Sequence, residues 1–135
     1  MITSTVKYIG GLRTEAVHLQ SGTMVNSDAP KDNHGQGEAF SPTDMVATSL
    51  ATCILTTMGI LKLSREITAI DGASAEVTKV MYPDPRRIGE IHVKITFPKS
   101  DFTQKEKDVY EHTAHTCPVA RSLHPDLKQV LEFVW

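Results

Sequence analysis

Two side chains in this sequence invite chemistry of their own, Cys53 and Cys117, and they stand 64 positions apart. Neither belongs to a C-x-x-C pairing, and Met1 to Gly10 carries Thr, Ser and Lys in place of the basic-then-apolar run of an export signal. A structural disulfide framework is therefore not expected, and two thiols that do meet should meet for redox chemistry. Cys53 sits in the middle of an apolar stretch, with Ser49 and Thr57 four positions to either side and Leu50 and Thr56 three positions away. Most buried free cysteines are simply small core hydrophobes. An active Cys53 would need a cationic neighbour and a passage to solvent, because burial disfavours the thiolate. Cys117 precedes Pro118, which suits the first position of a helix and makes Cys117 an N-cap. There the helix end favours a thiolate, so by helix-end logic Cys117 is the better nucleophile, unless it only caps or packs. His112, His115 and Cys117 form H-x-x-H-x-C, which with Cys53 as a fourth ligand suggests zinc, although zinc motifs usually show tighter cysteine pairing. Arg13, Arg65, Arg86, Arg87 and Arg121 are the guanidinium groups available to stabilise a thiolate, and spacing does not choose among them.

The elements that must carry these residues are legible. Ile2 to Ile9, Thr14 to Gln20 and Thr23 to Ser27 read as short strands separated by Gly10-Gly11 and Ser21-Gly22 turns. Asp28 to Ala39 is polar, holds Pro30, Gly35 and Gly37, and reads as an exposed loop. Ser41-Pro42-Thr43-Asp44 opens a helix, with Ser41 as N-cap and Asp44 placed for a capping box. That helix runs to about Ser64, and its apolar residues surround it, so it needs cover on every side. A second copy of the chain would supply that cover, which motivates a homodimer. Ala75 to Met81 and Ile88 to Phe97 read as a hairpin turning at Pro83-Asp84-Pro85. Thr103 to Glu106 starts a helix to about Ala114, Cys117-Pro118 starts a short one ending at His124-Pro125, and Leu131, Phe133 and Trp135 alternate in a closing strand. The order is α+β, with no phosphate loop or dinucleotide fingerprint.

Composition limits the function. At 135 residues and 40% hydrophobic content, one domain covering residues 1–135 is expected. A net charge of -2 gives no general attraction to nucleic acid or anionic membrane. The longest uncharged stretch, Met45 to Leu61, is short and hydroxyl-rich for a membrane span and reads as a buried helix. A cytosolic protein without nucleic-acid or membrane partners is expected.

Two segments, Gly37 to Cys53 (GEAFSPTDMVATSLATC) and Cys117 to Leu123 (CPVARSL), together resemble the family of osmotically inducible protein C and organic hydroperoxide resistance proteins, in its OsmC-like branch. The order of elements agrees over nearly the whole chain. The resemblance implies an OsmC/Ohr-like fold, in which a long buried central helix is wrapped by antiparallel sheets in an intertwined homodimer. It also implies metal-free, haem-free reduction of organic hydroperoxides, with no cofactor. Cys53 becomes the peroxidatic thiolate and Cys117 the resolving thiol, with an external thiol or a lipoylated protein as reductant; this reverses the order that helix-end logic gives. Two positions depart from the family pattern. Thr43 stands where a glutamate usually follows the proline and holds the activating arginine, leaving Glu38 or Asp44 to substitute, although Asp44 is equally a capping residue. Arg13, the expected activator, follows Gly10-Gly11 with a one-residue offset that in a strand could turn it away. The competing reading is a non-catalytic module of the same fold, with an apolar pocket for a small ligand and cysteines that merely pack.

Overall fold

The computed structural model describes all residues 1–135, in two compact units, Met1–Val46 and Ala47–Trp135. In the first unit, β1 (Ser4–Gly10), β2 (Arg13–His18) and β3 (Met24–Asp28) form an antiparallel sheet in that order. The turns fall at Gly10-Gly11 and near Gly22, all three with positive φ, as the dipeptides predict. β1 is exposed along its whole length and carries Val6, Tyr8 and Ile9 outward. After β3 the chain makes one 3-10 turn, Lys31–Asn33, and reaches the start of α1 (Pro42–Ser64). The expected capping box is present: the Asp44 amide donates to Ser41 Oγ at 3.1 Å, and the Ser41 amide donates to Asp44 Oδ2 at 2.9 Å.

The second unit holds the rest of α1, then β4 (Ser74–Tyr82), β5 (Arg87–Thr96), α2 (Gln104–Thr116), α3 (Pro118–Ser122) and β6 (Lys128–Val134). The sheet order is β4-β5-β6. β4 and β5 form the expected hairpin, but β6 runs parallel to β5, which corrects the expectation of wholly antiparallel sheets. The cause is the connection: α2 and α3 lie between β5 and β6, and a helical crossover returns the chain in the same direction.

Alternation along β5 turns Ile91, Val93 and Ile95 inward, and all three are buried. They share one core with Leu50, Ile54 and Met58 of α1 and with Tyr110 and Ala114 of α2. Each fully buried aliphatic side chain of this size contributes about 1.5–3 kcal/mol. Phe97, Phe102, Tyr110 and Trp135 close one end, with the rings of Phe97 and Trp135 stacked and the Tyr110 hydroxyl donating to Thr68 O at 2.5 Å. By length and composition alone α1 could cross a membrane. Within one chain it buries a stripe, Ala47, Leu50, Ala51, Ile54 and Met58, and not its whole circumference: Thr52, Thr56, Gly59, Ile60 and Leu63 are exposed.

The crossover begins at a second capping box. Glu106 Oε2 accepts the Thr103 amide at 2.8 Å, while Oε1 accepts the amide and hydroxyl of Thr68 at 2.7 and 2.9 Å, tying α2 to the segment after α1. The Thr103 and Thr68 amides hold the Glu106 carboxyl down at about 2, against an ordinary 4.5. A carboxyl depressed in the folded state stabilises it above its ordinary pKa, and that contribution fades as pH falls through 4.5 toward 2. Thermal melts of Glu106→Gln against wild type should therefore show a lower Tm at pH 7 and a gap that narrows below pH 4.5. A gap unchanged down to pH 3 would contradict the assignment.

Candidate active site

Cys53 lies on α1 and Cys117 at the junction of α2 and α3, and both thiols are free. Cys53 is half-buried against the core, with Thr57 one turn on and its Oγ1 3.9 Å from Sγ. Cys117 is completely buried. Its backbone (φ -64°, ψ 157°) ends α2 and starts α3, and with Pro118 following, its Sγ accepts the Ala120 amide at 3.4 Å. The sequence expectation of an N-cap thiol is met, but the helix-end stabilisation of a thiolate there is opposed by burial. Burial pushes the Cys117 thiol up, and the Ala120 and Val119 amides only partly offset it. The hydrogen bond and charge of Cys53 add to the rise, a sign that the two thiols are neighbours. The second unit therefore pairs one accessible thiol with one buried, protonated thiol.

Arg13 belongs to the first unit, where its partners are Asp28 and Glu38. Gly10, Gly11 and Leu12 take positive φ in succession, and the β1–β2 register shifts between Tyr8 and Gly10. This bulge takes up the extra residue, and β2 presents Arg13 directly opposite Asp28 of β3. Nη2 of Arg13 donates to Asp28 Oδ2 at 3.3 Å and also to Glu38 Oε2 in a short contact. Glu38 returns to this position because the loop folds tightly on itself. The Gly35 amide donates to Pro30 O at 3.0 Å and the Gly37 amide to Ala29 O at 3.2 Å. A side chain at Gly35 would collide with the Ala29 carbonyl, its Cβ only 1.6 Å away. The Glu38 amide then donates to Asp28 Oδ2 at 3.0 Å.

Of the two candidate replacements for the glutamate absent at Thr43, Glu38 takes the arginine and Asp44 caps α1. Thr43 itself lies at the cap, its Oγ1 3.2 Å from Ser41 Oγ. Sequence reasoning missed Asp28, which it placed at the start of a loop. A tight turn at Ser21-Gly22 would have set Arg13 opposite Pro30; the observed loop is longer, and its register sets Arg13 opposite Asp28. Arg87 is occupied in its hairpin, donating to Pro83 O and Pro85 O and covering the Tyr82 ring; Arg65, Arg86 and Arg121 are exposed. His112 and His115 are exposed on α2 while Cys117 is buried at its end, and no three His, Cys, Asp or Glu side chains converge to hold a metal ion.

Two three-stranded sheets, a long helix with a free thiol at its middle and a second thiol at a helix junction define an α+β protein of the OsmC/Ohr type. The family model for OsmC-like protein matches residues 35–132, and the chain belongs to that family. Among solved structures it is similar to a proposed osmotic stress induced and detoxification response protein from Psychrobacter arcticus, at 53% identity, a TM-score of 0.92, and coverage of 98% of this chain and 96% of the other. It shares its fold with an organic hydroperoxide resistance protein OsmC from Legionella pneumophila (18% identity, TM-score 0.74, 100% of this chain and 98% of that one). It likewise shares its fold with the organic hydroperoxide resistance protein OhrB of Bacillus subtilis (16% identity, TM-score 0.67, 98% of each chain). Comparison with curated proteins gave no match.

Proposed function

We propose that this protein is a thiol-dependent peroxidase that reduces organic hydroperoxides through a two-cysteine cycle. The observation that carries the reading is the pairing of an accessible Cys53 with a buried Cys117 in one compact unit of a chain with no other cysteine. The Cys53 thiolate attacks the terminal peroxide oxygen. The O–O bond breaks, the alkoxide leaves and takes a proton to become the alcohol, and Cys53 is left as a sulfenic acid. Cys117, held protonated by burial, attacks that sulfur; its proton leaves with the hydroxide as water, and a Cys53–Cys117 disulfide remains. An external thiol or a lipoylated protein then reduces the disulfide and becomes oxidised in turn. Arg13 is the proposed guanidinium that stabilises the Cys53 thiolate and the charge developing on the leaving oxygen.

The apolar surroundings of Cys53 favour an alkyl hydroperoxide over hydrogen peroxide. The proposed assembly is a homodimer in the cytosol, without nucleic-acid or membrane partners. Exposed Val6, Tyr8 and Ile9 on β1, and Ile60 and Leu63 on α1, are the surfaces a second copy would cover. Light scattering should give about twice 14.9 kDa, and recovery as a monomer or in a membrane fraction would contradict that assembly. The activity itself is tested by cumene hydroperoxide consumption with dihydrolipoate in excess. Wild type should turn over, Cys53→Ser should lose about 10³-fold or more, and Arg13→Ala should lose about 10²-fold. Full activity in Cys53→Ser would refute the cycle. Absence of turnover in wild type would instead favour the non-catalytic small-ligand module.

A further inference from the structure

The more deeply placed of the two carboxylates on Arg13 has no part in the reading so far. Asp28 is fully buried and stands opposite Arg13 across the β2–β3 ladder. One oxygen, Oδ2, accepts both Arg13 Nη2 and the Glu38 amide; the other, Oδ1, is buried without a well-formed hydrogen bond, although the nearby Gln36 and Ala29 amides also help to hold the carboxyl down. Leaving a buried carboxylate oxygen unsatisfied costs free energy, so a carboxylate that served only to tie β3 to the loop would be better placed at the surface or replaced by a neutral acceptor. Glu38 differs: its side chain is 64% exposed, and it sits at the end of a loop. Both carboxylates use the same nitrogen, Nη2, whose two hydrogens they occupy. The plane of the guanidinium is then fixed by an immobile group on one side, and the N–H groups on Nε and Nη1 stay available.

We propose that Asp28 is the positioning residue for Arg13, holding the guanidinium so that its Nε and Nη1 groups are kept for the reacting thiolate and leaving oxygen, with Glu38 an outer tether. The proposal rests on the peroxidase reading for its purpose, but the anchoring itself can be measured without it. A carboxylate locked into the ladder loses little entropy on binding Arg13, whereas an exposed glutamate must be ordered to do so.

Two readings test it, both on the full-length reduced protein. In the first, nitrogen-15 NMR of the Arg13 side chain should show slow rotation of the guanidinium in wild type and Glu38→Gln, and fast rotation in Asp28→Asn. Unchanged slow rotation in Asp28→Asn, or equal release in Glu38→Gln, overturns the proposal. In the second, single-turnover oxidation of Cys53 by cumene hydroperoxide should slow by about 10- to 100-fold in Asp28→Asn, the cost of a misplaced group. It should show no further loss when Asp28→Asn is added to Arg13→Ala. An equal loss in the Arg13→Ala background would mean that Asp28 acts on the fold and not through Arg13.

The pH dependence of Cys53 alkylation separates positioning from charge. Loss of positioning lowers the thiolate fraction at neutral pH, while simple removal of a negative charge beside Arg13 raises it; a rise would overturn the proposal. Should Asp28→Asn not fold, Asp28→Glu, which keeps the charge and moves the carboxylate, is expected to give the same two changes, and wild-type behaviour in it would count as refutation. If wild-type thiols resist the peroxide altogether, the peroxidase reading fails, and the NMR result still decides whether Asp28 anchors Arg13.

Discussion

The structure turns on the burial of one thiol beside another. Cys117 is removed from water at the point where two helices meet; burial there pushes its thiol up, its Sγ accepts the Ala120 amide, and Cys53 is its neighbour. The contact with the Ala120 amide is the cap of the five-residue α3, but the burial does not follow from that short helix. It follows from the core. Leu50, Ile54 and Met58 fix α1 against Ile91, Val93 and Ile95, while Tyr110 and Ala114 fix α2 in the same cluster, so the two cysteines inherit positions set by apolar packing. The Glu106 network with Thr68 and Thr103 ties the start of the crossover, and the stacked Phe97 and Trp135 rings close the far end.

Arg13 is held differently from the way the family resemblance implies. The family pattern holds the arginine with a glutamate at the start of the long helix; this chain has Thr43 there, and the helix start is capped by Ser41 and Asp44, with Thr43 Oγ1 beside Ser41 Oγ. The arginine is instead gripped from its own sheet and the loop after it, by Asp28 across the ladder and by Glu38 where the loop closes. The Asp28 carboxyl lies below its usual range, first through the Glu38 amide and then, against the opposing effect of burial, through the Arg13 guanidinium. The bulge before Gly10 and the left-handed Leu12 bring Arg13 into register opposite Asp28.

The sequence carried much of this. The Ser41–Asp44 and Thr103–Glu106 capping boxes, the Gly-Gly and Pro-Asp-Pro turns and the clean alternation of Ile91, Val93 and Ile95 located nearly every element, because each is a local signal with a local cause. What escaped was non-local. The parallel pairing of β6 with β5 depends on where the crossover returns, and the choice of Glu38 and Asp28 as partners for Arg13 depends on strand register and loop closure. The environment of Cys117 escaped for the same reason: cap geometry is readable at Cys117-Pro118, but burial, which pushes its thiol up against the cap, is a property of the whole core.

The central claim is that Cys53 and Cys117 are redox partners, and the most direct test is intact mass under denaturing conditions. One equivalent of cumene hydroperoxide would be added to the reduced wild type, Cys53→Ser and Cys117→Ser proteins in parallel. The expected result is the loss of two hydrogens in wild type, addition of oxygen in Cys117→Ser and no change in Cys53→Ser. A wild-type mass that stays at its reduced value, or oxidation that persists in Cys53→Ser, would contradict the account.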